Sequence, residues 1–251
     1  MKKIYRPVVL VCMLAGLQQC SVVPLTESDA VHVLVVAGGH SYDTTHFMEM
    51  FDAMEGITYD TVMQPRANQM IGKKNMKAYQ AVVFYDAWRE ISRKEQKAYK
   101  KLTRKGKGMV FLHHSLGSYQ HWEGFSDIVG GRYYRKGSGH TGKPLMEYTH
   151  DLDIMVHVVD RQHPVTRGIP DFTIHDEGYT NLQYEEGITP LLVTGHPASS
   201  DTIAWVNPVR NSRVVYMMLG HDAHAYTNPH YREVLRNAIY FSAGRTGSEG
   251  E

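Results

Sequence analysis

Residues 108–117 read Gly-Met-Val-Phe-Leu-His-His-Ser-Leu-Gly. Five residues suited to a buried strand run directly into two imidazoles and a hydroxyl. A short apolar run that ends in polar residues and glycine is the pattern of an interior strand followed by a tight turn. Its neighbours share the pattern. Residues 31–39 (VHVLVVAGG) and 81–87 (AVVFYDA) are apolar runs of strand length, and 57–63 (ITYDTVM) alternates as a strand should. Between them, Phe47, Met50, Phe51 and Met54 recur at helical spacing over 44–54. Ser92 with Glu95 three residues on predicts a capping box opening a helix to about Lys105. The order β-α-β-β-α-β is the start of an open α/β sheet.

Further along, 130–150 is rich in Gly, Tyr and basic residues and reads as a loop over the sheet edge. Strands are expected at 154–159, 188–194, 202–206 and 214–219, the last three joined as hairpins. A final helix is expected over 229–243, with Pro229 at its start. The domain therefore spans 31–245, with 246–251 a disordered tail.

The leading segment reads as an address. Lys2, Lys3 and Arg6 precede an apolar run, Val8–Leu17, of signal-peptide length and too short to cross a bilayer comfortably. Leu17-Gln-Gln-Cys20-Ser21 resembles a bacterial lipobox, so 1–19 is expected to be a lipoprotein-type signal peptide, Cys20 the lipidated residue and 20–30 a tether. An ordinary signal peptide or a short anchor is the alternative. The expected location is the cell envelope: a periplasm-facing lipoprotein, or a protein secreted to the periplasm.

Composition narrows the function. Of 251 residues, 42% are hydrophobic and 21% charged, which excludes a disordered chain. Lys+Arg at 27 against Asp+Glu at 26 gives +1, no footprint for a nucleic-acid partner. Loss of Lys2, Lys3 and Arg6 with the leader would take that balance to −2. Two cysteines exclude a disulfide framework and a thiolate zinc site. Histidine is the anomaly: there are 15, more than Phe (7) and Trp (3) together.

In open α/β sheets, ligands bind beyond the carboxyl ends of strands. Gly38-Gly39-His40, His113-His114-Ser115 and Gly220-His221-Asp222-Ala223-His224 all follow predicted strands. His113 is a metal ligand or an acid/base group, or else a packed histidine bonded to backbone. Asp222 beside His221 would set that imidazole's tautomer. Glu177 and Asp176 offer carboxylates for proton transfer, cation ligation or sugar hydroxyls. His40, His46, His114, His140, His224 and Ser115 are candidate substrate contacts. Trp122 and Tyr179 would stack on a pyranose ring, or pack in the core or rim. His150 and His157 read as ordinary strand or surface positions. Imidazoles with carboxylates and no thiol suit Zn²⁺ or another first-row divalent ion, with His113, His221 and Glu177 as ligands. Gly38-Gly39-His40 lacks the dinucleotide and Walker patterns, so no nucleotide cofactor is expected. Nothing in the pattern sets an oligomeric state.

Four motifs carry a resemblance: AGGHSYDTTHF (37–47), GKGMVFLHHSLGSYQHW (106–122), HPVTRGIPDFTIHDEGY (163–179) and LGHDAHAYTNPHYREVLRNAIYFSAG (219–244). In this order they resemble the ThuA-like family, named for trehalose utilisation. The resemblance implies a flavodoxin-like three-layer α/β/α sandwich with a mainly parallel central sheet, similar to class I glutamine amidotransferases. It also implies a small-molecule carbohydrate substrate. Where those amidotransferases carry a nucleophilic Cys at the strand-to-helix elbow, this chain has Ser115, so thiol amidotransfer is excluded. The reading that follows is an envelope enzyme acting on a glycoside or keto-sugar by His/carboxylate acid–base chemistry, with or without a metal. Two alternatives stand beside it: a non-catalytic sugar-binding lipoprotein, and a hydrolase built on Ser115, His221 and Asp222.

Overall fold

A computed structural model describes residues 30–245. The expectations for the leader, Cys20, the tether before Ala30 and the tail after Arg245 lie outside the described residues.

The apolar runs become the centre of one nine-stranded sheet. Strand β1 (Val31–Gly38) is followed by helix α1 (Thr44–Asp52), β2 (Ile57–Met63), α2 (Arg66–Ile71), β3 (Ala81–Asp86), α3 (Arg93–Arg104) and β4 (Gly108–Leu112). A 3₁₀ turn, His113–Gly117, leads to α4 (Ser126–Val129) and β5 (Gly131–Arg132). The second half holds β6 (Tyr148–Val158), β7 (Phe172–Tyr179), β8 (Gln183–Tyr184), β9 (Thr189–Val193), β10 (Thr202–Val209), β11 (Ser212–Met217), α5 (Ala223–Thr227) and α6 (Pro229–Ser242). Sheet order is β2-β1-β3-β4-β11-β10-β9-β6-β7. The first five strands are mutually parallel, and every pairing from β11 outward is antiparallel.

Burial explains the residue choice. All of β3 and β4 is buried, as strands covered on both faces must be. Helix α6 packs on β3, β4 and β11, and α1, α5 and α6 form a continuous group; α2 and α3 pack on each other. The predicted capping box at α3 is present, with the Ser92 side chain accepting from Glu95 N and the Glu95 side chain accepting from Ser92 N. Among the described residues no helix is long and apolar enough to cross a membrane.

One expectation needs correction. Residues 130–150 are not one loop: β5 lies at their start, Tyr134 bridges Leu145, and β6 begins at Tyr148. Strand β7 runs through His175, Asp176 and Glu177. The antiparallel partner strand β6 supplies the backbone bonds that prolong it.

Candidate functional site

The elbow after β4 carries His113 into the centre of the carboxyl-end rim. Its φ of 50° lies in the left-handed region, where a non-glycine residue is held only by strong surroundings. The ring is buried and its Nδ1 lies 2.6 Å from the Met218 carbonyl. A carbonyl only accepts, so Nδ1 carries a proton and Nε2 is left to face the groups of the rim. Nε2 meets Tyr179 Oη at 2.7 Å, Glu177 Oε2 at 3.0 Å and His221 Nδ1 at 3.2 Å.

Glu177 and Asp176 are neighbours on β7 and point to opposite faces, as strand geometry requires. Asp176 Oδ2 accepts from Gly220 N at 2.7 Å, and its Oδ1 accepts from His221 N at 2.9 Å. It therefore holds the loop after β11. Gly220 sits there at φ 110°, and a Cβ would lie 2.2 Å from Tyr231 Oη, so only glycine lets this loop deliver His221. Burial pushes the Asp176 carboxyl upward. Burial also pushes Glu177 upward. Its hydrogen bonds with His113, His221 and Tyr179 outweigh that, and the carboxyl lies well below the usual carboxylate range. His221 Nδ1 is 3.3 Å from Glu177 Oε2, and this hydrogen bond raises the imidazole despite partial burial.

Opposite stand two neutral imidazoles. His40 and His114 stack with ring centroids 4.6 Å apart. Burial lowers the first and drives the second well below the usual histidine range. His40 Nδ1 donates to Ser41 O, and neither ring nitrogen of buried His114 has a hydrogen-bond partner. The cleft between the groups has a volume of about 330 Å³. His40, His114, Glu177, Tyr179 and His221 line it, with Tyr133, Arg135, Met146, Tyr148 and His150.

Of the expected residues, this site gathers His113, His221, Glu177, His40, His114 and Tyr179, with Asp176 behind them. Others lie elsewhere. Asp222 caps α5, accepting from His224 N at 2.8 Å, and does not orient the His221 ring. Ser115 Oγ is buried and bonds neither His221 nor any other described group, so no serine triad is assembled. Trp122 packs in the core against Tyr99, Tyr119 and Phe125. His46 is exposed on α1 and pairs with Asp43; His224 is exposed on α5 and pairs with Asp222. His140 Nε2 bonds the Gln120 carbonyl away from the cleft. His157 is exposed and pairs with Asp171, an ordinary surface position.

His150 is the residue sequence reading passed over. The register of β6 on β7 shifts between Thr149 and Leu152, with Asp151 at φ 57°. Such an irregularity re-aims side chains, and it brings His150 Nδ1 to 3.2 Å from Glu177 Oε1. Alternation of Tyr148, His150 and Leu152 was the available signal for an earlier strand start.

The three atoms His113 Nε2, Glu177 Oε2 and His221 Nδ1 have separations of 3.0, 3.2 and 3.3 Å. Metal–ligand bonds of about 2.0–2.1 Å at tetrahedral or octahedral angles put adjacent ligands about 2.8–3.4 Å apart. The donor set thus fits a two-histidine, one-carboxylate face around a divalent ion. The Met218 carbonyl on His113 Nδ1 is the outer hydrogen bond such a ligand needs.

Comparison with known proteins bears on the same region. The family model ThuA, described as trehalose utilisation, matches residues 32–242. A ThuA-like protein of Parabacteroides merdae superposes with TM-score 0.71 at 16% identity, covering 88% of this chain and 92% of that one. One from Bacteroides uniformis gives 0.62 at 18%, covering 88% and 95%. A β-galactosidase from Bacillus circulans sp. alkalophilus gives 0.57 at 11%, over 86% of this chain but 31% of that one. At these identities the likeness is one of fold. No curated protein matches at the sequence level.

Proposed function

The chain belongs to the ThuA family, and from that premise we propose that it is an enzyme that performs proton-transfer chemistry on a carbohydrate at the His113–Glu177–His221 centre. One observation carries the reading: three groups able to ligate or move a proton converge within 3.3 Å of one another on the ligand-binding rim. His221, partly open to the cleft, is the acid–base group, and the ionised, hydrogen-bonded Glu177 carboxylate orients it and raises its basicity. His113 and His221 hold the Glu177 carboxylate in place, and Tyr179 bonds the His113 ring. His40 and His114 stay uncharged, offering ring nitrogens to sugar hydroxyls without repelling a cation. A divalent ion held by His113 Nε2, Glu177 Oε2 and His221 Nδ1 would supply polarisation of a keto or hydroxyl oxygen. We place this chemistry at the cell envelope, on the reading of residues 1–19 as a lipoprotein-type signal peptide and Cys20 as the lipidated residue.

Elemental analysis of the full chain and of His113→Ala and Glu177→Gln tests this. The expected result is about one divalent ion per wild-type chain, lost from both variants, with sugar turnover falling by about 100-fold or more. A metal-free protein whose variants bind sugars unchanged would overturn both the metal and the acid–base assignments in favour of a sugar-binding protein.

A further inference from the structure

Beside the histidine cleft lies a second hollow of about 230 Å³. Arg89, Arg135, Lys136 and His121 line it, with Glu90 and Ser138. Arg135 lines both hollows, so the two adjoin. Three permanent cations face one carboxylate here. Among the described residues, the ion pairs made by Arg or Lys are Arg132–Glu123 and Arg161–Asp171, so these three cations are not neutralised by neighbours. Ser138 N donates to Arg135 O at 3.0 Å, closing a turn, while the buried Ser138 Oγ has no partner. An unsatisfied buried hydroxyl among unpaired guanidinium groups is a donor set without its acceptor.

The hollow is also tied to the elbow. Gln120 Oε1 accepts from Arg135 N at 3.2 Å, and Gln120 Nε2 donates to Tyr133 O at 3.0 Å and Gly117 O at 3.3 Å. Gly117 ends the 3₁₀ turn that begins at His113. The basic loop is thereby held in register with the centre.

We propose that this hollow is a subsite for an oxyanion substituent (a carboxylate, sulfate ester or phosphate ester) on the saccharide whose reacting carbon lies at Glu177. The inference rests on the function proposed above and narrows its substrate class to acidic sugars. Guanidinium forks match planar or tetrahedral oxyanions. A charged anchor at one end of the cleft orients an acidic sugar along it.

Calorimetric titration of the full chain with cellobiose, cellobiouronic acid, glucose, glucose 6-sulfate and glucose 6-phosphate tests the subsite. An acidic sugar is expected to bind at least about tenfold tighter than its neutral counterpart, and added salt should shrink the difference. Comparing the uronic acid with the two esters identifies which oxyanion is preferred. The double variant Arg89→Ala/Lys136→Ala, both exposed positions, should lose the preference and keep the neutral sugar's affinity and the wild-type melting temperature. Equal affinity for acidic and neutral sugars, a preference that survives the double variant, or binding of inorganic sulfate as tight as that of glucose 6-sulfate would each sink the proposal. Failure of the proposed function reads out separately, as unchanged metal content and turnover in Glu177→Gln.

Discussion

At the residue scale, two buried carboxylates, Asp176 within β7 and Asp86 at the end of β3, show how environment assigns roles. Asp176 spends its oxygens on backbone N–H groups of Gly220 and His221. Asp86 is fully enclosed at the end of β3, where Gln64 Nε2 reaches its Oδ2 at 2.7 Å. Burial raises its carboxyl to about 7, against the smaller opposing effect of the Gln64 hydrogen bond. The sign of the consequence follows from linkage. The folded state holds this proton more tightly than the unfolded chain, whose Asp titrates near 4. Asp86 therefore makes stability fall as pH rises from about 4 to about 7, and has no further effect above. Asp86→Asn, which keeps an acceptor for Gln64, should flatten that window. Denaturant unfolding should show it matching wild type near pH 4 and exceeding it at pH 8 by about 2–4 kcal/mol. A parallel pH dependence in both proteins would contradict the assignment.

At the element scale, close packing of helix on strand sets tight limits. Gly108 opens β4 beneath α6, and a Cβ there would stand 2.2 Å from the Ser242 carbonyl oxygen. Both partners are backbone, so neither can swing aside. Gly108→Ala should push α6 outward and cost about 1–3 kcal/mol, read as a lowered melting temperature. Unchanged stability would mean that α6 shifts freely. Most elements were legible from pattern: β1 to β4, α1, α3 with its capping box, and α6 fall where periodicity and end signals put them. The misses have local causes. Helix α2 is six residues long, with Pro65 as its N-cap and no side-chain cap bond, so it carried no start signal. Strand β6 starts six residues before its apolar run because its first half is exposed and held by pairing with β7. Tertiary pairing, not local propensity, makes Tyr148–Asp153 a strand.

At the scale of the whole molecule, parallel strands fix a polarity. Strand β1 begins at Val31 on the rim where β3 and β4 also begin, and the histidine cleft lies at the opposite rim. If Cys20 carries the lipid, the intervening segment reaches at most about 35 Å. Cell fractionation checks the anchor: the chain should sediment with membranes, and Cys20→Ala should release it into the soluble fraction without altering the folded domain. A wild-type chain already soluble would remove the anchor.

The division between what pattern could say and what folding alone could decide runs along sequence separation. The succession of elements in the first half and the concentration of imidazoles at strand ends are local facts, carried by apolar runs and the residues that end them. Which of 15 histidines act together is not local. His113, Glu177 and His221 are joined only because β4 pairs with β11 while β7, at the far edge of the same sheet, places Glu177 against His113. Asp222 sits next to His221 in sequence, yet it turns to cap α5, and Asp176, 45 positions earlier, holds the His221 backbone instead. Adjacency along a chain fixes where a residue is, but the direction of its side chain is set by the contacts that bury it.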